Sequence, residues 1–274
     1  MLSTTTCHHT YTWAFKGGAW ANISSHVSGS PPARTGASMV FDARDGYLLI
    51  YGGQKACGAG GYLQDTWAFS NNSWVKLNII NPPGPITDYG LAYDAYDRYV
   101  VMYGGYRVNG TLRGPVTTTF AYAAGNWTLL HPANHPRPLY DLSMAGTLSG
   151  ARGVLLFGGL SATSYHNDTW TFRGGTWSHV QPRLSPPPRA YGVLAYDARL
   201  SSFVFFGGVG ANNAGTNDTW TFSNGSWTDI TPTVGAAPPA DFTAPKFTIS
   251  VGCYVPGAGR VLLFDGSNQT WALQ

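Results

Sequence analysis

The sequence predicts an all-β fold, a β-propeller forming a single domain over residues 1–274, and three observations predict it. An apolar strand ending in two glycines recurs at Tyr47 to Gly53, Tyr99 to Gly105, Gly153 to Gly159 and Ser202 to Gly208, with spacings of 52, 54 and 49 residues. A Trp-x-Phe strand with a second tryptophan seven positions on recurs at Trp13/Phe15/Trp20, Trp67/Phe69/Trp74, Trp170/Phe172/Trp177 and Trp220/Phe222/Trp227. With 35 Gly and 18 Pro in 274 residues, turns are frequent and long helices are nearly excluded.

Each complete repeat reads as four short strands. In the fourth, strand a is Tyr191 to Tyr196, b is Phe203 to Phe206, c is Thr219 to Phe222 and d is Trp227 to Ile230. Alternating aromatic and small residues, with Asn/Asp/Gly punctuation, favour strands and hairpin turns. One such meander cannot bury both faces, and stacking several around an axis solves this while protecting their edges. All ten tryptophans fall in the repeat, so they read as scaffold. Phe120/Tyr122/Trp127 is a weaker copy, and Trp271/Leu273 a truncated one.

These residues resemble the kelch repeat. The match lies in the Pro188-Arg189 lead-in, the strand ending in Gly-Gly, and the Asp-Thr-Trp strand with its spaced second tryptophan. Repeat two departs with Thr118-Thr-Phe120, and the fifth has Asp265 for the first glycine. The resemblance implies a kelch-type propeller whose long b–c and d–a loops form the ligand face.

The N-terminus supplies c- and d-type strands (Tyr11 to Phe15, Ala19 to Ile23). The C-terminus supplies a, b and c (Thr248 to Tyr254, Val261 to Phe264, Thr270 to Leu273). About twenty-one strands fit five four-stranded blades, closed by pairing of N- and C-terminal strands, better than six. Six blades remain the alternative.

Function on such a scaffold sits among long loops around the axial mouth. The repeats place Arg34, Arg137, Arg189 and Lys246 there, with Tyr89, His135, Tyr140 and Tyr191. The arginines read either as repeat scaffold pairing with carbonyls and acids, or as an electropositive funnel for an anionic or polyhydroxylated ligand. Asp42, Asp94 and Asp197 end strand a, and Asp65, Asp168 and Asp218 precede Thr-Trp, so both sets read as structural. Asp88, Asp141 and Asp241 recur at no single repeat position, which makes them the catalytic candidates if the chain is an enzyme.

The leading expectation is recognition of a carbohydrate or glycan at this funnel. The alternatives are a glycoside hydrolase using the three aspartates, less favourably a polysaccharide lyase, or a protein-interaction or surface-array module. No cofactor or metal is expected. A net charge of +3 without a basic block argues against nucleic acid, and apolar runs of five or six residues argue against membrane insertion. No basic-apolar-small pattern marks the N-terminus, so the chain reads as cytosolic or already trimmed. Eight Asn-x-Ser/Thr sites and few lysines, together with a disulfide expected between Cys7 and Cys57, favour an extracellular or cell-surface setting. Cys253 reads as a small buried apolar residue.

Overall fold

The computed structural model describes residues 10–56, 61–109, 111–147, 150, 152–235, 251–255, 258–264 and 269–273. Among them, the chain is all-β, with short 3-10 turns at Ser24–His26 and Ala211–Asn213. A hairpin of β1 (Trp13–Lys16) and β2 (Ala19–Asn22) comes first. Four antiparallel meanders follow, each with its strands in chain order. The first is β3 (Met39–Asp42), β4 (Tyr47–Tyr51), β5 (Thr66–Ser70) and β6 (Ser73–Leu77). The second is β7 (Gly90–Asp94), β8 (Tyr99–Tyr103), β9 (Thr119–Ala123) and β10 (Asn126–Leu130). The third is β11 (Ser143–Gly146), β12 (Val154–Leu160), β13 (Tyr165–Arg173) and β14 (Thr176–Val180). The fourth is β15 (Val193–Asp197), β16 (Ser202–Gly210), β17 (Gly215–Ser223) and β18 (Ser226–Asp229). A three-stranded sheet closes the series: β19 (Val251–Val255), β20 (Arg260–Phe264) and β21 (Thr270–Ala272).

The a–b turns confirm the structural role expected of one aspartate set. Asp42, Asp94 and Asp197 are fully buried, and in each Oδ1 accepts the backbone N–H groups two and three residues on. The Gly-Gly signature has a backbone cause. Both glycines of every pair have positive φ, from Gly52 at 53° to Gly159 at 106°. The second glycine also sits against the lead-in of its own sheet: a Cβ on Gly53, Gly105 or Gly208 would lie 2.7–2.8 Å from the carbonyl of Thr35, Thr87 or Ala190. Only glycine combines that conformation with that approach. In the third and fourth meanders the pair makes a bulge that re-aims the strand.

Apolar layers join one sheet to the next. Leu91 and Tyr93 of β7 pack back onto Leu49 and Tyr51 of the first meander, while Ala92 and Val101 pack forward with Val154 and Leu156 of the third. The layer between the third and fourth contains Phe157, Phe205 and Trp227. The inner strands approach closely: a Cβ on Gly146 of β11 would collide with the Tyr93 carbonyl of β7. Each d-strand tryptophan also donates its indole N–H to a threonine hydroxyl one sheet back. The pairs are Trp74–Thr12 (3.0 Å), Trp127–Thr66 (3.2 Å), Trp177–Thr119 (3.0 Å) and Trp227–Thr169 (3.0 Å).

Three expectations change. Among the described residues the N-terminal strands do not enter the last sheet; β1 and β2 form their own. The reason lies in the sequence: β1 carries the Trp-x-Phe of a third strand, and β21 already fills that place. The hairpin instead lies beside the last sheet, with Trp20 Nε1 donating to Thr270 Oγ1 at 2.7 Å and its ring edge-on to Phe264. The b–c segments, expected as loops, are partly β-ribbon: Tyr106–Asn109 pairs with both Leu112–Pro115 and Ile86–Thr87, and Arg189–Ala190 pairs with β16. Such pairing satisfies backbone groups that a loop would leave to water. Cys253 is exposed, not buried. Cys7 and Cys57 lie outside the described residues.

Candidate functional site: a tyrosine-aspartate cluster

The segment entering each inner strand carries one residue in the left-handed backbone region: Gly36 (φ 64°), Asp88 (58°), Asp141 (52°) and Tyr191 (61°). Their backbones form a chain running from sheet to sheet. Asp88 N donates to Gly36 O at 2.8 Å, Asp141 N to Asp88 O at 2.8 Å, and Tyr191 N to Asp141 O at 3.1 Å. Asp88 and Asp141 therefore do share one repeat position, contrary to the sequence expectation. Aspartate tolerates this conformation better than most residues, while a tyrosine there is uncommon and marks a strained position.

The side chains gather around this backbone chain. Asp141 accepts a hydrogen bond from Tyr191 and feels the charge of Asp88. Tyr140 is tied to the third meander by reciprocal backbone bonds with Leu160, 2.9 and 2.8 Å long. Its ring meets Tyr106 edge-on at 5.5 Å. Tyr165 opens β13 opposite Leu160 and donates its hydroxyl to Asn213 Oδ1 at 2.8 Å. Asp141 acts electrostatically on both Tyr140 and Tyr165. Met39, Tyr93, Met144 and Leu194 of the inner strands line an apolar cavity of about 230 Å³.

Burial raises the Asp141 carboxyl to about 7, and the neighbouring Asp88 charge adds to the rise against the Tyr191 bond. Burial also raises Asp88, opposed by a bond from Thr87. Asp141 thus keeps its proton up to about neutrality. Because the folded-state pKa of Asp141 lies above its unfolded value, its contribution to stability is complete below about pH 4 and is lost as pH rises through about 7. A carboxylic acid beside a carboxylate offers both a donor and an acceptor to hydroxyl groups. Tyrosine rings add flat apolar faces with polar tips.

The other expected site residues separate. Arg34 and Arg189 turn away from the mouth into ion pairs. Arg34 Nη1 donates to Asp65 Oδ1 and to Gly52 O, both at 2.8 Å, and Arg189 clamps Asp218 with both terminal nitrogens. Burial alone would raise Asp65 and Asp218, but bonds from these arginines and from Trp67 and Trp220 hold both below the usual range. Arg137 pairs with Asp168 at 2.8 Å on the surface. Tyr89 is buried, its hydroxyl donating to the Tyr51 carbonyl, so it is scaffold. His135 is exposed with Nδ1 against Pro136 O at 2.8 Å. Asp241 and Lys246 lie outside the described residues. An electropositive funnel is therefore not what the described arginines form. Their guanidinium groups meet the acid before strand c in their own sheet, the partner that the scaffold alternative required. Tyr106 and Tyr165 were not singled out, because they sit in b–c segments that share no residue across the repeats.

No protein-family model matches the chain. It is 28% identical over 192 residues to an F-box/kelch-repeat protein of Arabidopsis thaliana, covering 64% of this chain and 39% of that one. It is 26% identical over 205 residues to the multiple epidermal growth factor-like domains protein 8 of Rattus norvegicus and of Homo sapiens, covering 72% of this chain and 7% of each of those. The chain thus spans well under half the length of these curated relatives.

Proposed function

We propose, for a chain whose repeats are of the kelch type, that it is a non-catalytic recognition module binding a neutral glycan at the Asp88/Asp141 mouth. The carrying observation is the gathering of two electrostatically coupled carboxyls and four tyrosines around the backbone chain from Gly36 to Tyr191. With Arg34 and Arg189 consumed by Asp65 and Asp218, the two arginines expected at the site do not offer, among the described residues, the forked donors an anionic sugar needs. A neutral sugar needs hydroxyl partners and a flat apolar face, which the cluster supplies.

Titration calorimetry with neutral oligosaccharides chosen from a glycan array tests this. The intact chain binds at least one saturably, and Tyr140→Ala or Tyr106→Ala weakens it about tenfold or more. A panel without a binder, or binding indifferent to both substitutions, overturns it. The same two carboxyls keep the hydrolase reading alive, because an acid beside a base is the pair that glycoside hydrolysis uses. Reducing ends released from a polysaccharide, and abolished by Asp141→Asn, favour that reading. Protein recognition is the coarser role that the kelch-repeat relative supports. A position outside the cell or at its surface belongs to the same proposal and rests on the sequence features given above.

For the architecture, we infer a ring of six places rather than five. The tryptophan-to-threonine bonds support it: Trp20 on β2 reaches Thr270 on β21 as Trp74 reaches Thr12, so the hairpin takes a place of its own between the last sheet and the first.

A further inference from the structure

We propose that the first meander carries a second ligand site, beside its outer strand β6, for a sugar bearing an oxyanion (a carboxylate or a sulfate). The site is a cleft of about 460 Å³ between the b–c segment and the end of β6, within the size range of small-ligand pockets. Its walls include Lys55, Tyr62, Gln64, Lys76 and Asn78. The whole chain has only four lysines, and two of them meet here. Both are exposed, and among the described residues neither takes part in an ion pair.

The repeat itself asks for neither lysine. Lys55 pairs with Arg34 across the short ladder of the b–c segment, and Lys76 lies opposite Trp67. In the fourth meander the same two places, opposite Arg189 and Trp220, hold Gly210 and Asp229. The one acid in the cleft wall, Asp65, is already spoken for. Its Oδ1 accepts from Arg34 Nη1 at 2.8 Å, and its Oδ2 accepts from Arg34 Nη2 at 3.1 Å and from Trp67 Nε1 at 2.7 Å. Arg34 thus balances Asp65, and the two ammonium groups leave the cleft with an excess of positive charge. A concave wall of one sign draws in an ion of the other. The rest of the wall distinguishes a sugar from a bare ion. Gln64 and Asn78 carry amides, each a donor and an acceptor for hydroxyl groups, and Tyr62 adds a flat apolar face with a polar tip.

The scarcity of lysine makes the test direct. Reductive methylation of the full chain with carbon-13 keeps the lysine charge and labels four side chains besides the α-amine, each signal assigned by a Lys→Arg variant. The probes are glucuronate and glucose 6-sulfate, with glucose, acetate and inorganic sulfate as controls. At least one acidic sugar shifts the Lys55 and Lys76 signals together and saturably, while the signal of Lys16 on β1 stays still. Which of the two sugars saturates at the lower concentration tells carboxylate from sulfate. Glucose moves neither signal, and acetate and inorganic sulfate act about tenfold more weakly than the sugar bearing the same anion. Lys55→Gln and Lys76→Gln each weaken the sugar about tenfold. Both side chains are exposed, so the variants fold, which their melting temperatures confirm. Unmoved signals with both acidic sugars overturn the proposal, as does a Lys16 signal that moves in step, or binding indifferent to both substitutions. Acetate or inorganic sulfate binding as tightly as the sugar also overturns it, since the cleft then holds an adventitious ion only. The lysine signals report this cleft alone, so the outcome stands apart from what the mouth binds.

Discussion

Replacing Arg189 with methionine lowers the free energy of unfolding by about 3–5 kcal/mol, the range for breaking one side of a buried ion pair. Arg189 is 2% exposed. It donates to Gly207 O at 3.1 Å, Thr216 Oγ1 at 2.7 Å, Asp218 Oδ2 at 2.9 Å and, through Nε, Pro187 O at 3.0 Å. Methionine fills much of the space but removes the Arg189 donors from the Gly207 carbonyl and from the Asp218 carboxylate, which keeps the Trp220 indole N–H but loses its counter-charge. Urea denaturation at pH 6 measures the loss. Arg137→Met is the internal control, because the Arg137 side chain is 52% exposed and its pair with Asp168 contributes about 0–1 kcal/mol. The pH dependence has a definite sign. Asp218 sits below its ordinary range when folded, so the pair stabilises above about pH 4 and that stability is lost as pH falls through the folded pKa. The gap between wild type and Arg189→Met therefore narrows from pH 6 to pH 3. An unchanged gap assigns the effect to packing instead.

Trp177→Ala costs about 3–5 kcal/mol, as for other fully buried aromatic truncations. Trp177 is 0% exposed, lies edge-on to Tyr103 at 5.0 Å, and packs on Phe172 at 4.9 Å. It belongs to the layer between the second and third meanders, so its loss loosens both. Trp177→Phe separates the two contributions. It keeps most of the apolar contact but removes the N–H that reaches Thr119 Oγ1 at 3.0 Å, leaving a buried hydroxyl with an unused acceptor and costing about 1–3 kcal/mol. Denaturant titrations of both variants measure this, and a cost for Trp177→Phe equal to that of Trp177→Ala contradicts the assignment.

What the sequence made legible was whatever a single repeat has to satisfy alone. The Gly-Gly pairs follow from two successive positive-φ residues and a close carbonyl, so they recur without exception in the four meanders. The strand-ending aspartates follow from two turn N–H groups that need one acceptor. The site was less legible because its position lies in the lead-in, where the repeats differ in length and residue. Arg137 looked equivalent to Arg34 and Arg189, but the left-handed residue follows Arg34 and Arg189 by two positions and follows Arg137 by four. That offset hid the equivalence of Asp88 and Asp141. The closing pattern was also misread, because a strand count does not distinguish a strand that joins a sheet from one that lies beside it. The contact of Trp20 with Thr270 spans 250 residues and leaves no local signature.

The claim on which the site depends is that consecutive sheets bring Asp88 and Asp141 together. Carboxyl-carbon NMR of the intact protein, titrated from pH 3 to pH 9 with and without Asp88→Asn, measures it directly. The geometry requires Asp141 to titrate near 7 and to move toward the ordinary carboxylate range once the Asp88 charge is gone, with burial keeping it raised. An Asp141 that titrates near 4 in both proteins contradicts the account.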